Sequence, residues 1–292
     1  MRSRTLGATG LTVSELGLGA GPLGSARLDD ATAERLVHAA LDLGVTLIDT
    51  APSYGRSEHR IGSALRGRRA RIVLSTKLGY GVPHVADWTG ECITAGVDAA
   101  LERLATTWID VAHLHSCPLD VLTRGEVVDA LDGAVRSGKV RVAAYSGDND
   151  ALGWAIASGR FGSVQCSISL ADQRALDAAL PLANERGVGV VAKRSLANAA
   201  WLDAVRPEAV DRAAYWDRLH AMALPIAAVD RADHALRFAL AQPVSSVLVG
   251  TTSAAHLATA VAAVERGGLD DDLVAQARAA FRRCGRGWDG VI

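Results

Sequence analysis

From residue 15 onward, short aliphatic and β-branched runs alternate with longer segments whose apolar residues recur three or four apart. Runs of four to seven apolar residues suit strands buried on both faces, and the wider spacing puts apolar side chains on one face of a helix. The first pair is 15-ELGLGAG-21 and 29-DDATAERLVHAALDLG-44, where Asp29 or Asp30 can cap the helix and Gly44 can end it. Next come 45-VTLIDT-50 with 57-SEHRIGSALRG-67, 71-RIVLSTK-77 with 91-ECITAGVDAALERLA-105, and 108-WIDVAHLH-115 with 124-RGEVVDALDGAVRSG-138. The series continues through 139-KVRVAAYS-146 with 150-DALGWAIASG-159 and 163-SVQCSIS-169 with 174-RALDAALPLANERG-187. It ends with 188-VGVVAKR-194 and a helix near 228-AVDRADHALRFAL-240, then 246-SVLVGT-251 with 254-AAHLATAVAAVERG-267.

Strict strand–helix alternation implies a parallel sheet, and eight units close into a (β/α)8 TIM barrel more naturally than they form an open α/β sheet. A doubly wound open sheet is the alternative. Against it, no G-x-G-x-x-G opens the first helix, and the glycine-rich run within 14-SELGLGAGPLG-24 does not lead into a helix at the right distance. Before the first strand, 3-SRTLGATGLTVSE-15 reads as a β-hairpin turning at Thr9-Gly10, an N-terminal plug for one end of the barrel. Residues 1–292 are expected to form one domain, with a longer insertion from Leu196 to about Pro225 that carries Trp201, Tyr215 and Trp216.

Composition narrows the function. With 49% hydrophobic and 22% charged residues the chain has material for a large core, and 31 Lys+Arg against 32 Asp+Glu leave a net charge of −1. The longest basic run is 66-RGRRAR-71, too little positive field for a nucleic-acid partner. Cys92, Cys117, Cys166 and Cys284 lie far apart with no C-x-x-C pair, so neither a zinc site nor a disulfide framework is expected. The N-terminus lacks the apolar centre of a signal peptide, and no apolar run reaches the roughly 18 to 20 residues of a membrane span. A soluble, cytoplasmic protein without a membrane partner is the expectation; the sequence does not define its oligomeric state.

In a barrel of this kind Asp49, Lys77 and His115 end the second, third and fourth strands, and Tyr54 follows the second strand in its loop. Singly, each has an ordinary structural use: a turn cap, an exposed charge, a core histidine, a rim aromatic. Together they share the rim on which barrel active sites are built. A Lys77 ammonium favours ionisation of Tyr54, Asp49 holds that ammonium, and His115 can donate a hydrogen bond to a carbonyl oxygen. His113, two residues before His115, faces the same inner side and reads as a hydrogen-bonded core histidine. A metal on H-x-H would need another ligand, for which Asp49 is the one candidate, and none is expected.

The chain resembles the aldo-keto reductase superfamily over nearly its whole length. The resemblance is carried by 14-SELGLGAGPLG-24, 49-DTAPSYG-55, 74-LSTK-77, 109-IDVAHLH-115, 145-YS-146, Gln165 and 250-GTTSAAHL-257, in this order and spacing. It implies a catalytic tetrad of Asp49, Tyr54, Lys77 and His115, with Tyr54 giving the proton to a carbonyl oxygen. It also implies a nicotinamide cofactor, NADPH or NADH with NADPH the usual one, extended over the rim. Ser146 and Gln165 match the carboxamide-binding positions. Ser195 and Leu196 match the start of the loop around the pyrophosphate. Gly250, Thr251, Thr252 and Ser253 lead into a helix whose free N–H groups suit an adenosine-side phosphate.

Several positions depart from the family pattern. Gly147 replaces an Asn beside the strand-five Ser. Lys193 stands where an aromatic often stacks on the nicotinamide, so that a cation would lie over the ring. Lys193 and Arg194 form a basic pair at a strand end, facing either solvent or an anionic part of cofactor or substrate. At the 2′-phosphate position the chain offers Thr251, Thr252, Ser253, His256 and Ala260, of which only His256 can carry charge, so a weakened preference for NADPH is expected. Trp88 and Trp201, with Tyr80 and His84, are candidate pocket walls. Three functions remain: an oxidoreductase interconverting an aldehyde, ketone or sugar carbonyl and its alcohol; a non-catalytic nicotinamide-nucleotide-sensing subunit of the same fold; and a hydrolase using Asp49 and His115, for which no second carboxylate is evident.

Overall fold

A computed structural model of the chain describes residues 1–291. Eight parallel strands close into a barrel: β3 (Leu16–Gly19), β4 (Leu47–Asp49), β5 (Val73–Leu78), β6 (Ile109–His115), β7 (Val140–Ser146), β8 (Ser163–Ser167), β9 (Gly189–Lys193) and β10 (Ser246–Val249). Each pairs with its sequence neighbour, and β10 pairs back to β3 through Val247↔Leu16 and Val249↔Leu18. The runs are short, apolar and almost wholly buried because helices cover the outside while side chains fill the inside.

The helices follow the expected units. α1 (Asp30–Asp42) starts where Asp29 accepts from Thr32 N at 2.8 Å, and the chain leaves it through Gly44 at φ +80°. α2 (Ser57–Ala64), α3 (Gly90–Arg103), α5 (Glu126–Arg136), α6 (Asn149–Ala157), α7 (Ala179–Glu185), α9 (Arg231–Leu240) and α10 (Ala254–Glu265) follow β4 to β10 in turn. α7 is shorter than the sequence pattern suggests. Pro181 lacks an N–H and is tolerated only in a first turn, so residues 174–176 form a separate short turn before it.

Three further helices lie outside the strand–helix alternation: α4 (Leu119–Arg124) before α5, α8 (Val210–Met222) inside the insertion, and α11 (Asp271–Cys284) after α10. No helix of the described residues is long and apolar enough to cross a membrane.

The hairpin of β1 (Ser3–Thr5) and β2 (Thr12–Ser14) is antiparallel, with Thr5 opposite Thr12. Its tip carries Leu6 and Leu11, which with Val13 pack onto Leu47, Val73, Val111, Val142, Val191 and Leu248 from the barrel interior. The plug therefore completes the inner core at one end, and a leucine as fully buried as Leu6 contributes roughly 1.5 to 3 kcal/mol. Polar residues collect at the opposite end.

Candidate active site

β4, β5 and β6 lie side by side with Asp49 opposite Ser75 and Lys77 opposite His113. Alternate residues of a strand share a face, so Asp49, Ser75, Lys77, His113 and His115 line one inner wall of the barrel at its C-terminal rim. Lys77 Nζ donates to Asp49 Oδ2 at 2.6 Å and to Thr50 O at 2.8 Å, and the lysine is 1% exposed. An isolated ammonium in such a place would be expelled or neutralised. Burial pulls the Lys77 pKa down, but attraction to Asp49 and then Tyr54 outweighs it and the net shift is upward. For Asp49 burial pushes upward and Lys77, helped by His113 and Ser75, overcomes it, so the carboxyl ends below its ordinary value. Each partner keeps the other ionised.

The second Asp49 oxygen accepts from Ser75 Oγ at 2.8 Å, and His113 Nε2 lies 3.0 Å from the same hydroxyl. A carboxylate can only accept, so the Ser75 proton points to Asp49 and His113 donates from Nε2. Burial holds the His113 pKa down to about 4, leaving a neutral ring whose Nδ1 has no partner among the described residues. His113 thus supports Asp49 through Ser75. Sequence reasoning did not single out Ser75, although its place two residues before Lys77 puts it on the same inward face.

Tyr54 is placed by its loop. Its N–H donates to Ala51 O at 3.1 Å and its carbonyl accepts from Ser57 N at 3.0 Å, while the Ser57 hydroxyl donates to Ala20 O at 2.8 Å. Gly55 holds φ +54°, and the backbone of Gly24 comes so near that a Cβ on Gly24 would lie 1.6 Å from Tyr54 O. Neither position admits a side chain. The result brings the Tyr54 ring to 5.0 Å from Lys77 Nζ and, edge-on at 90°, to 6.2 Å from the His115 ring. Burial, then Lys77 and Lys193, hold the His115 pKa down to about 3, so this ring is neutral too. Its Nδ1 sits 2.6 Å from Tyr80 Oη, and the Tyr80 ring stacks on it at 5.6 Å and 22°.

Asp49, Tyr54, Lys77 and His115 open onto a cavity of about 510 Å³. The same cavity is lined by Ser146, Gln165, Lys193, Arg194, Ser195, Leu196 and Gly250, and also by Ser116 and Asn198, which the sequence did not mark. Asp49 is its one carboxylate among the described residues, so a two-carboxylate hydrolase is not built here. Ser146 Oγ donates to Gln165 Oε1 at 3.0 Å, whereas Gln165 Nε2 is buried with no partner among the described residues. An unpaired buried amide donor costs about 1 to 3 kcal/mol, which a ligand oxygen would recover. Ser146 and Gln165 therefore fit a carboxamide-bearing ligand.

Each member of the basic pair has a partner within the protein. Lys193 Nζ lies 3.2 Å from Asp148 Oδ2, and Asp148 also accepts from Ser167 N at 2.7 Å and Ser167 Oγ at 3.0 Å. Its charge is neutralised at the cavity edge, not left free over a ring. Arg194, at φ +55°, donates to Val291 O and faces Asp211 at 4.0 Å. It anchors the C-terminal tail, which Arg218 also holds through Asp289 O at 2.6 Å. Gly147 has a local cause: a Cβ there would stand 2.2 Å from the hydroxyl of buried Tyr145, leaving no room for an asparagine.

Thr251, Thr252, Ser253 and His256 lie outside the cavity, at the start of α10. Ser253 caps that helix by accepting from His256 N at 3.3 Å, and its own N–H donates to Thr251 Oγ1 at 3.0 Å. Thr252 and His256 are exposed, while Ala260 is buried against the core. Of the candidate walls, Trp88 packs behind Tyr80 at 5.8 Å. Trp201 lines a separate groove of about 290 Å³ with Leu170, Leu219 and Leu224, and exposed His84 does not line the cavity. No group of three or more His, Cys, Asp or Glu able to hold a metal ion occurs among the described residues.

Known proteins are similar to this chain. The profile of the Aldo/keto reductase family matches residues 15–281. L-galactose dehydrogenase of Arabidopsis thaliana is 30% identical over 94% of this chain and 93% of its own length. The NADH-specific methylglyoxal reductase of Escherichia coli is 30% identical over 65% of this chain and 66% of its own. Among solved structures, the holo form of an aldo-keto reductase from Bacillus halodurans superposes with a TM-score of 0.83 at 28% identity, covering 96% of each chain. The chain, from its plugged barrel to the polar set at the rim, belongs to the aldo/keto reductase family of oxidoreductases.

Proposed function

We propose that the protein reduces the carbonyl of a small aldehyde, ketone or sugar with NADPH or NADH, Tyr54 supplying the proton, and that the same residues serve the reverse oxidation. The observation that carries this reading is the buried Asp49–Lys77 pair set beneath Tyr54, facing neutral His115 across the mouth of the cavity. When bound, the dihydronicotinamide supplies a hydride to the carbonyl carbon. Tyr54 passes its phenolic proton to the carbonyl oxygen, so hydride and proton together make the alcohol. Lys77 stabilises the tyrosinate left behind, and Asp49 keeps Lys77 charged. His115 donates a hydrogen bond that orients the carbonyl.

Ser146 and Gln165 would hold the carboxamide, with Gln165 Nε2 as donor. Ser195 and Leu196 would border the pyrophosphate, with Lys193 and Arg194 beside them. Gly250, Thr251, Thr252, Ser253 and the N-terminus of α10 would receive the adenosine-side phosphate, as N–H groups at a helix start that the cap does not use suit an anion. His256 alone in that segment can add charge, which favours a modest preference between the two cofactors. Residues 1–292 act as one barrel domain. The four free thiols suit a reducing cytoplasm.

The test is a titration with NADPH and NADH by tryptophan fluorescence, followed by turnover with a panel of aldehydes, ketones and sugars. Tyr54→Phe is expected to lose about 10²- to 10⁴-fold in kcat while binding cofactor as before. Failure of both nucleotides to bind would sink the proposal. Binding without turnover, with Tyr54→Phe indistinguishable from the parent protein, would instead establish a nucleotide-sensing subunit.

A further inference from the structure

We propose that Tyr80 is a positioning residue that fixes the tautomer of His115, so that the histidine presents Nε2–H, a donor, to a substrate oxygen. The inference rests on the carbonyl-reducing reading of the site and adds to it a residue outside the four. Its basis is the 2.6 Å contact between Tyr80 Oη and His115 Nδ1. In such a pair one partner donates, and a neutral imidazole carries a single N–H. A phenol is a stronger acid and a poorer acceptor than an imidazole, so the proton of the short bond belongs to Tyr80. Nδ1 is then the acceptor, and the ring proton must sit on Nε2.

The other polar neighbour of Tyr80 Oη, Ser53 Oγ at 3.5 Å, is too distant to compete for the phenolic proton. The neighbouring charges that reach His115 include the ammonium groups of Lys77 and Lys193 and the carboxylate of Asp49, with His113 beside it on β6. Burial and the two ammonium groups keep the ring neutral, excluding the doubly protonated form that would donate from both nitrogens without any help. Nε2, the other ring nitrogen, has no hydrogen-bond partner among the described residues, and His115 lines the cavity. The Tyr80 ring is held in place by stacking on His115 and by edge contact with Trp88, whose indole in turn rests against Gly79. Removing the hydroxyl would therefore leave the ring where it is.

The consequence is chemical. With Nδ1 engaged by a donor, the cavity side of His115 can only donate, which suits a carbonyl oxygen and an alcohol oxygen alike. Were the proton to move to Nδ1, Nε2 would become an acceptor and repel the carbonyl it is meant to orient. Tyr80 thus selects the form of the ring that favours the proton transfer from Tyr54.

The experiment uses the full-length protein labelled with ¹⁵N at histidine and long-range ¹H–¹⁵N correlation, with His115→Asn identifying the His115 signals. The parent protein is expected to show His115 as the Nε2–H tautomer, and Tyr80→Phe to show a mixture or the Nδ1–H form. In parallel, Tyr80→Phe should lower kcat/KM for carbonyl reduction about tenfold with an unchanged cofactor Kd. An Nδ1–H tautomer in the parent protein, or an unaltered tautomer in Tyr80→Phe, overturns the inference, and the parent spectrum decides even if the variant does not fold. If no carbonyl is reduced by the parent protein, the proposed reaction fails while the spectra still decide the role of Tyr80. A tenfold kinetic loss without a tautomer change would assign Tyr80 to the pocket wall instead.

Discussion

The two halves of the barrel rim are built differently. On the side of β4, β5 and β6, Asp49 is paired with Lys77, steadied by Ser75 and His113, and buried. On the side of β7 to β10, the cavity presents an unpartnered Gln165 amide, a lysine already tied to Asp148 and an arginine already tied to the tail. The ion pair of the first half is complete without a ligand, whereas the Gln165 amide of the second gains its hydrogen bond only when one arrives. Preorganisation belongs where charge develops in a reaction, because dipoles that need not reorganise act at full strength. Groups that merely hold a cofactor can wait for it.

The largest expected effect comes from breaking the closed half. Lys77→Met leaves the Asp49 carboxylate buried and unpaired, and about 3 to 5 kcal/mol of stability should be lost in urea unfolding. A loss under about 1 kcal/mol would mean that water reaches the pair. Acid offers a gentler probe of the same half. His113 has a folded pKa of about 4 against an ordinary 6.5, so the unfolded chain binds the extra proton between those values. The stability that neutral His113 contributes is complete above pH 6.5 and is lost as pH falls through about 4, at most about 3 kcal/mol for this one ring. The difference between the parent protein and His113→Gln, measured by denaturation at several pH values, isolates that share; parallel curves would deny it.

Effects in the open half should be smaller and fall on binding. Gln165→Leu removes the waiting donor and is expected to weaken nicotinamide nucleotide binding about tenfold in a fluorescence titration, with stability changed by no more than about 1 kcal/mol. Unchanged affinity would show that the orphaned amide serves no ligand. His256→Ala should be the mildest. An exposed side chain contributes about 0 to 1 kcal/mol to an ion pair, so the ratio of NADPH to NADH dissociation constants should shift less than about fivefold. A larger shift would make His256 the determinant of cofactor choice.

The eight strand–helix units were legible because each strand is a buried apolar run and each helix shows its own periodicity. α11 was not, although Leu273, Val274, Ala277, Ala280 and Phe281 mark one face of it, because it lies beyond the eighth unit and strand–helix alternation assigns it no place. Asp49, Lys77 and His115 were legible for a geometric reason: they end consecutive strands, and consecutive parallel strands share a rim. The ion pair of Lys193 with Asp148 was not, since neither residue's neighbours in the chain point to the other. Nor was the contact of Tyr80 with His115, which depends on a turn through Gly79 at φ +132° and on Trp88 behind it.

The contact between Gly24 and the Tyr54–Gly55 backbone carries a consequence for redesign. Because a side chain at either glycine would collide with the other loop, the segments after β3 and β4 form one cassette, to be transplanted together. A graft that replaced either alone would displace the tyrosine. The long segment after β9, which lines the cavity with Asn198 and Ala199, makes no such backbone-to-backbone lock with the tyrosine loop among the described residues, so it can be exchanged without displacing Tyr54.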